Sequence, residues 1–128
     1  MRISYEELLA KFQKILESRG FCGEHARDAA TVFAQNSLDG VYSHGVNRFP
    51  RVVEYLDKGE IDCHSIAECV ERMRAIQRWD GHRGFGPLNA RLAMGRACEL
   101  AKECGVGVVA LGNNNHWMRG GSYGWQAA

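Results

Sequence analysis

The sequence predicts an α/β protein: a segment of three helices over residues 1–60, then the start of a mixed α/β sheet domain over residues 61–128. Three observations carry this expectation. Apolar residues recur at helical spacing through the first part of the chain. Short mixed runs rich in strand-forming residues replace that spacing after residue 61. A strand, a long helix and a wholly apolar strand then follow in the order of a crossover unit.

The first helix opens at Ser4-Tyr5-Glu6-Glu7, a capping box in which the Ser4 hydroxyl meets the Glu7 amide while Glu7 reaches back. Leu8, Leu9, Phe12, Ile15 and Leu16 keep helical spacing, and Gly20 is a natural stop. A second helix is expected over residues 24–38, burying Ala26, Ala29, Ala30 and Phe33, with Gly40 ending it. The third carries Phe49, Val52, Val53 and Leu56 as its apolar stripe. Pro50 fits only in a first turn, where its missing N–H costs nothing. The helix is therefore expected to start near Asn47 or slightly earlier, with His44 at its mouth. Residues 69–73 and 75–79 read as strands, and 81–87 as a loop. A helix then runs from Pro87 to Cys104 with Ala90, Ala93, Met94, Ala97, Ala101 and Cys104 on one face. Residues 106–111 form a continuous apolar run, the mark of a strand buried on both faces.

Composition excludes several function classes. Sixteen basic and fifteen acidic residues leave a formal net charge of +1. That balance offers no field to nucleic acid or an anionic membrane, so an anion must be held locally. Three helices in succession raise the possibility of a helix-turn-helix, but the third bears Glu54, Asp57 and Glu60 beside Arg51 and Lys58, which is no basic recognition face. No apolar run is long enough to span a bilayer. Glu6 and Glu7 stand where a signal peptide would be apolar. Five cysteines without a Cys-x-x-Cys suit free thiols in a reducing cytoplasm. No metal site is expected, because Cys63, His64 and Cys69 lack a closed ligand set.

Two polar clusters stand out. Ser43, His44 and Arg48 gather a hydroxyl, an imidazole and a guanidinium between two expected helices. With a helix beginning at or near His44, the imidazole and the guanidinium would project from one face, a turn apart. An imidazole exchanges protons near neutral pH, and a guanidinium holds a carboxylate through paired hydrogen bonds. The alternative is a helix-capping His44 with Arg48 on a solvated face, and spacing alone leaves both open. The second cluster follows the apolar strand, where α/β proteins usually keep their sites. There Asn115 and His116 supply an amide and a second imidazole, with Gly120, Gly121 and Gly124 able to admit a ligand close to the backbone. The stretch is not the Gly-x-Gly-x-x-Gly dinucleotide fingerprint. A plain glycine-rich turn with Trp117 and Trp125 packed beneath it is the competing reading. A histidine in each cluster favours a site shared by both.

Tyr42-Ser43-His44-Gly45-Val46-Asn47-Arg48-Phe49-Pro50-Arg51 and Asn115-His116-Trp117-Met118-Arg119-Gly120-Gly121-Ser122-Tyr123-Gly124-Trp125-Gln126-Ala127-Ala128 closely resemble the malate/L-lactate dehydrogenase family. Members of that family use NAD or NADP without a Rossmann fold, and the likeness spans essentially the whole chain. Ser43-His44-Gly45-Val46 marks the family broadly, whereas residues 116–128 narrow the likeness to a branch acting on 2,3-diketo-L-gulonate. The resemblance implies a cytoplasmic homodimer that passes hydride between a nicotinamide and a keto or hydroxyl group of a small sugar acid. It gives His44 the role of proton donor, with His116 competing or assisting. Arg48 would hold the substrate carboxylate, and Ser43 and Asn115 would contact substrate oxygens. Malate, L-lactate or ureidoglycolate remain open as substrates. Family members are longer, and the sequence stops at Gln126-Ala127-Ala128 inside an expected helix. The expectation is an N-terminal portion, inactive alone, with the main cofactor-binding segments beyond Ala128. A truncated product without catalytic activity is the alternative from another class.

Overall fold

The computed structural model describes residues 2–128 and divides into two compact units, Met1–His64 and Ser65–Ala128. The first holds α1 (Tyr5–Glu17), α2 (Gly23–Leu38), a short 3-10 turn (Tyr42–His44) and α3 (Phe49–Asp57). The expected capping box forms: the Glu7 amide donates to Ser4 Oγ at 3.2 Å, and the Ser4 amide donates to Glu7 Oε2 at 3.0 Å. Those hydrogen bonds favour the charged form and hold the Glu7 carboxyl below its usual range.

The core of this unit is built where the helical stripes converge. Phe12 and Leu16 of α1, Ala26, Ala29, Ala30 and Phe33 of α2, and Phe49 and Val52 of α3 are buried. Phe12 stacks on Phe49 with ring centroids 4.1 Å apart, and Phe33 meets Phe49 edge-on at 5.1 Å. Each such pair contributes about 0.5–1.5 kcal/mol beyond the area it buries. Because Phe49 opens α3, this cluster pins the point at which the chain enters that helix.

That entry differs from the expectation in one respect that matters for the site. Helix α3 begins at Phe49, not near Asn47, and His44 lies in the separate 3-10 turn. Gly45, at φ −111° and ψ −124°, leaves the helical region and separates the two elements. Pro50 works in the same direction, since extending the helix backward would drive its ring into the carbonyl four residues earlier. His44 and Arg48 are therefore not a turn apart on one helical face.

The second unit holds β1 (Glu68–Met73), β2 (Ile76–Asp80), α4 (Gly86–Cys104), β3 (Val108–Gly112) and α5 (Gly121–Ala127). β1 and β2 form an antiparallel hairpin, and β2 pairs with β3 in parallel, from Ile76 opposite Val108 to Asp80 opposite Gly112. Helix α4 is the crossover between those parallel strands, as the spacing predicted. Pro87 sits in its first turn, and Gly105, at φ 81°, ends it in the left-handed conformation that glycine adopts without penalty.

The expectation that β3 is buried on both faces is wrong. Val109 and Leu111 are half-buried, while Val108, Ala110 and Gly112 are exposed. In the sheet order β1-β2-β3, among the described residues, β3 is an edge. A continuous apolar run buries both faces only when both are covered, and here α4 packs against one. No helix among the described residues is long and apolar enough to cross a membrane.

Candidate active site

In the first unit, the C-terminal turn of α2 builds the seat for Ser43 and His44. Asn36, itself buried, donates through Nδ2 to the His44 carbonyl at 3.0 Å. Ser37 Oγ donates to the Phe33 carbonyl at 2.7 Å and accepts the Val46 amide at 2.9 Å. Gly45 makes this approach possible, since a Cβ there would lie 2.4 Å from Ser37 Oγ and 2.8 Å from the Ser37 amide nitrogen. With the backbone held on both sides, Ser43 Oγ and His44 Nδ1 lie 3.0 Å apart. A hydroxyl can donate or accept, so this pair is satisfied whether Nδ1 is bare or protonated. Arg48, the residue before α3, is half-buried, and its Nε is buried with no hydrogen-bond partner. An unpaired buried guanidinium nitrogen is costly, and an anionic oxygen would satisfy it.

In the second unit, Asn115 and His116 follow β3 and are held against the loop before α4. Asn115 Nδ2 donates to the Arg83 carbonyl at 2.7 Å and the Gly84 carbonyl at 3.1 Å. His116 is exposed, and its Nδ1 accepts the Met118 amide at 2.9 Å. An amide only donates, so this bond keeps Nδ1 unprotonated and places the ring hydrogen on Nε2. Met118, buried at φ 65°, turns its amide toward the ring.

The competing reading of two tryptophans packed under the glycines fails: Trp117 and Trp125 are 52% and 78% exposed, and the buried residues are Met118 and Tyr123. Tyr123 donates its hydroxyl to the Trp117 carbonyl and stacks on the Trp117 ring at 5.6 Å. Burial pushes its phenol above the ordinary range.

Behind this loop lies a cleft of about 490 Å³ with Ala90, Ala93 and Ala97 of α4 and Val109 and Leu111 of β3 on its walls. Asn115, His116 and Trp117 form its polar rim. An apolar slot beside an imidazole fits a flat nicotinamide ring, which needs water excluded from its reacting carbon. The lining has no lysine or arginine for a dinucleotide's phosphates. Among the described residues, no group of His, Cys, Asp and Glu is arranged to hold a metal ion.

Sequence reasoning named both histidines but missed Asn36, Asn89, Asn114 and Met118. The available signal was polar residues standing at apolar helix positions, as Asn36 and Asn89 do, and the run Asn113-Asn114-Asn115.

Known proteins similar to this chain are dehydrogenases and reductases. A family model described as malate/L-lactate dehydrogenase matches residues 3–128. The chain is 52% identical over its whole length to a 2,3-diketo-L-gulonate reductase of Mannheimia succiniciproducens and 49% identical to one of Haemophilus influenzae. It spans 39% of the length of each of these relatives. Among solved structures it matches malate dehydrogenase of Pyrococcus horikoshii with a TM-score of 0.94 at 29% identity, covering 100% of this chain and 37% of that one. Sulfolactate dehydrogenase of Methanocaldococcus jannaschii matches with a TM-score of 0.93 at 33% identity, covering 98% and 37%.

Proposed function

Because the chain belongs to the malate/L-lactate dehydrogenase family, we propose that the protein is an NAD- or NADP-dependent oxidoreductase acting on a small sugar acid. The substrate type is 2,3-diketo-L-gulonate or 3-dehydro-L-gulonate, in line with the names of its relatives. The observation that carries the reading is the Arg48 guanidinium, whose buried Nε has no hydrogen-bond partner among the described residues, four positions after the hydrogen-bonded Ser43–His44 pair. The nicotinamide, when bound, supplies or takes the hydride. This chain's residues hold the acid and move the proton.

His44 gives its Nε2 proton to the oxygen of the reduced carbonyl and keeps the Nδ1 proton, whose hydrogen bond the Ser43 hydroxyl accepts throughout. Arg48 holds the substrate carboxylate. His116, fixed with its hydrogen on Nε2, donates a hydrogen bond to a substrate oxygen and keeps its proton. Ser43 and Asn115 contact substrate oxygens, Asn115 accepting from a substrate hydroxyl through Oδ1 because its amide nitrogen faces two backbone carbonyls. The protein is read as a cytoplasmic homodimer.

The test is to follow NADH and NADPH oxidation by the purified intact protein with a panel of keto acids, including 2,3-diketo-L-gulonate, oxaloacetate, pyruvate and sulfopyruvate. Turnover best with the diketo sugar acid is the expected result. Preference for oxaloacetate or sulfopyruvate would move the protein toward its malate or sulfolactate dehydrogenase neighbours. Arg48→Lys keeps the charge but loses the planar fork, and should raise the keto-acid KM about tenfold or more. An unchanged KM would remove Arg48 from the carboxylate.

A further inference from the structure

We infer that Asn89, wholly buried at the start of α4, is a positioning residue that sets the loop carrying Asn115 and His116 by way of Asn114. Its exposure is 0%, so it cannot touch a substrate. Every hydrogen-bonding group of its amide is nonetheless used. Oδ1 accepts the Ala67 amide at 2.8 Å, while Nδ2 donates to the Gly81 carbonyl at 3.0 Å and to Asn114 Oδ1 at 2.9 Å. Asn114 passes the constraint on, since its Nδ2 donates to the Asn115 carbonyl at 3.1 Å.

The surrounding backbone is shaped to accept this relay and little else. A Cβ at Gly84 would lie 2.8 Å from Asn89 Nδ2, and one at Gly81 would lie 2.8 Å from Asn114 Oδ1. At Gly86 it would come within 2.3 Å of the Asn115 carbonyl oxygen and 2.4 Å of that of His116. The loop before α4 and the loop after β3 are thus closed on each other around one buried amide. A helix start lined with apolar groups could pack as well on a leucine. An amide with both hydrogens and its oxygen committed instead fixes a loop geometry, and this loop holds an imidazole in a single tautomer.

The experiment uses intact protein carrying Asn89→Asp, which keeps the acceptor for Ala67 but sets oxygen against the two oxygens that Asn89 now bonds. With ring-nitrogen-labelled histidine, the parent should show His116 as the Nε2–H tautomer, and Asn89→Asp should show mixed tautomers with faster exchange of the Met118 amide. Where keto-acid reduction is present, kcat should fall about tenfold to a hundredfold while KM moves less than about threefold, as expected when a reacting group is displaced and binding is not. Should Asn89→Asp not fold, Asn114→Ala decides, because it leaves Asn89 bonded to Ala67 and Gly81 and removes the relay with only a long 3.5 Å bond to the Gly86 carbonyl besides.

Parent-like His116 ring signals in the folded variant would overturn the inference, whatever the activity. The kinetic arm rests on the proposed reductase reading, and the ring signals do not. A changed tautomer in a protein that reduces no keto acid would therefore sink the reading and leave the positioning role standing.

Discussion

The imidazoles of His44 and His116 differ in the partner each has at Nδ1. His44 faces a hydroxyl, which can accept from Nδ1–H whether or not the ring is charged. His116 faces a backbone amide, which cannot. Protonating His116 at Nδ1 would set two N–H groups against each other and forfeit a hydrogen bond of about 1 kcal/mol. Equal chemistry in the side chain therefore becomes unequal chemistry in the two loops. A proton carrier needs a neighbour indifferent to its charge, whereas a fixed donor needs one that enforces a tautomer. The proposal that His44 carries the proton and His116 orients an oxygen follows from that contrast.

The strongest way to break the contrast is to exchange the two roles by mutation. His44→Ala should reduce turnover by roughly two to four orders of magnitude. His116→Gln, which keeps an N–H donor, should cost less than that. The pH profile separates the two more sharply than rate does. A general acid must be protonated, so kcat/KM for keto-acid reduction should decline with rising pH in the parent and in His116→Gln. In His44→Ala that decline should disappear. A profile that keeps its basic limb without His44 would hand the proton to His116.

Next in size are the two glycines that let each loop settle. Alanine at Gly86 would meet backbone oxygens of Asn115 and His116 at 2.3 and 2.4 Å, and neither can move without unseating the loop. Alanine at Gly45 would meet Ser37 Oγ at 2.4 Å, the Ser37 amide nitrogen at 2.8 Å and the Phe33 carbonyl at 3.1 Å, and a serine rotation relieves the first of these. Overpacking of this kind costs about 1–3 kcal/mol. Gly86→Ala is expected at or beyond the upper end and Gly45→Ala lower in the range, as read by denaturant unfolding. The reverse order would mean that the turn at His44 is the more rigid of the two.

These loops also show where the sequence was legible. Periodicity and caps placed α1 and α2 well, because Phe12, Leu16, Ala26 and Phe33 act through spacing within one helix. The crossover β2-α4-β3 was legible for the same reason. The start of α3 was not, because it is decided by Gly45 docking onto Ser37, a contact that depends on how α2 ends. Nor was the exposure of β3, since an apolar run reports what a strand can bury and not what covers it. Ser43, His44, Arg48, Asn115 and His116 could be proposed as site residues from residue type. The groups that orient them could not, because Asn89 and Asn114 act across 25 positions of chain.

The smallest effect expected is a difference in acid sensitivity. The turn at His44 is seated by neutral groups, the Asn36 amide and the Ser37 hydroxyl. The second loop also leans on a carboxylate: Asp80 Oδ1 accepts the His82 amide at 2.8 Å and Asn113 Nδ2 at 2.9 Å. Those two bonds, the His82 amide first, hold the Asp80 carboxyl below its ordinary value of 3.8. A depressed carboxyl stabilises the fold fully above its unfolded value and loses that contribution as pH falls through the folded one. Hydrogen exchange followed as pH falls below 3.8 should therefore show the His82 and Arg83 amides losing protection while the Val46 amide keeps its own. Asp80→Asn, which has no proton to gain, should level the two responses. If Val46 loosened first on acidification, the carboxylate would not be what distinguishes the loops, and their unequal behaviour would have to come from the backbone alone.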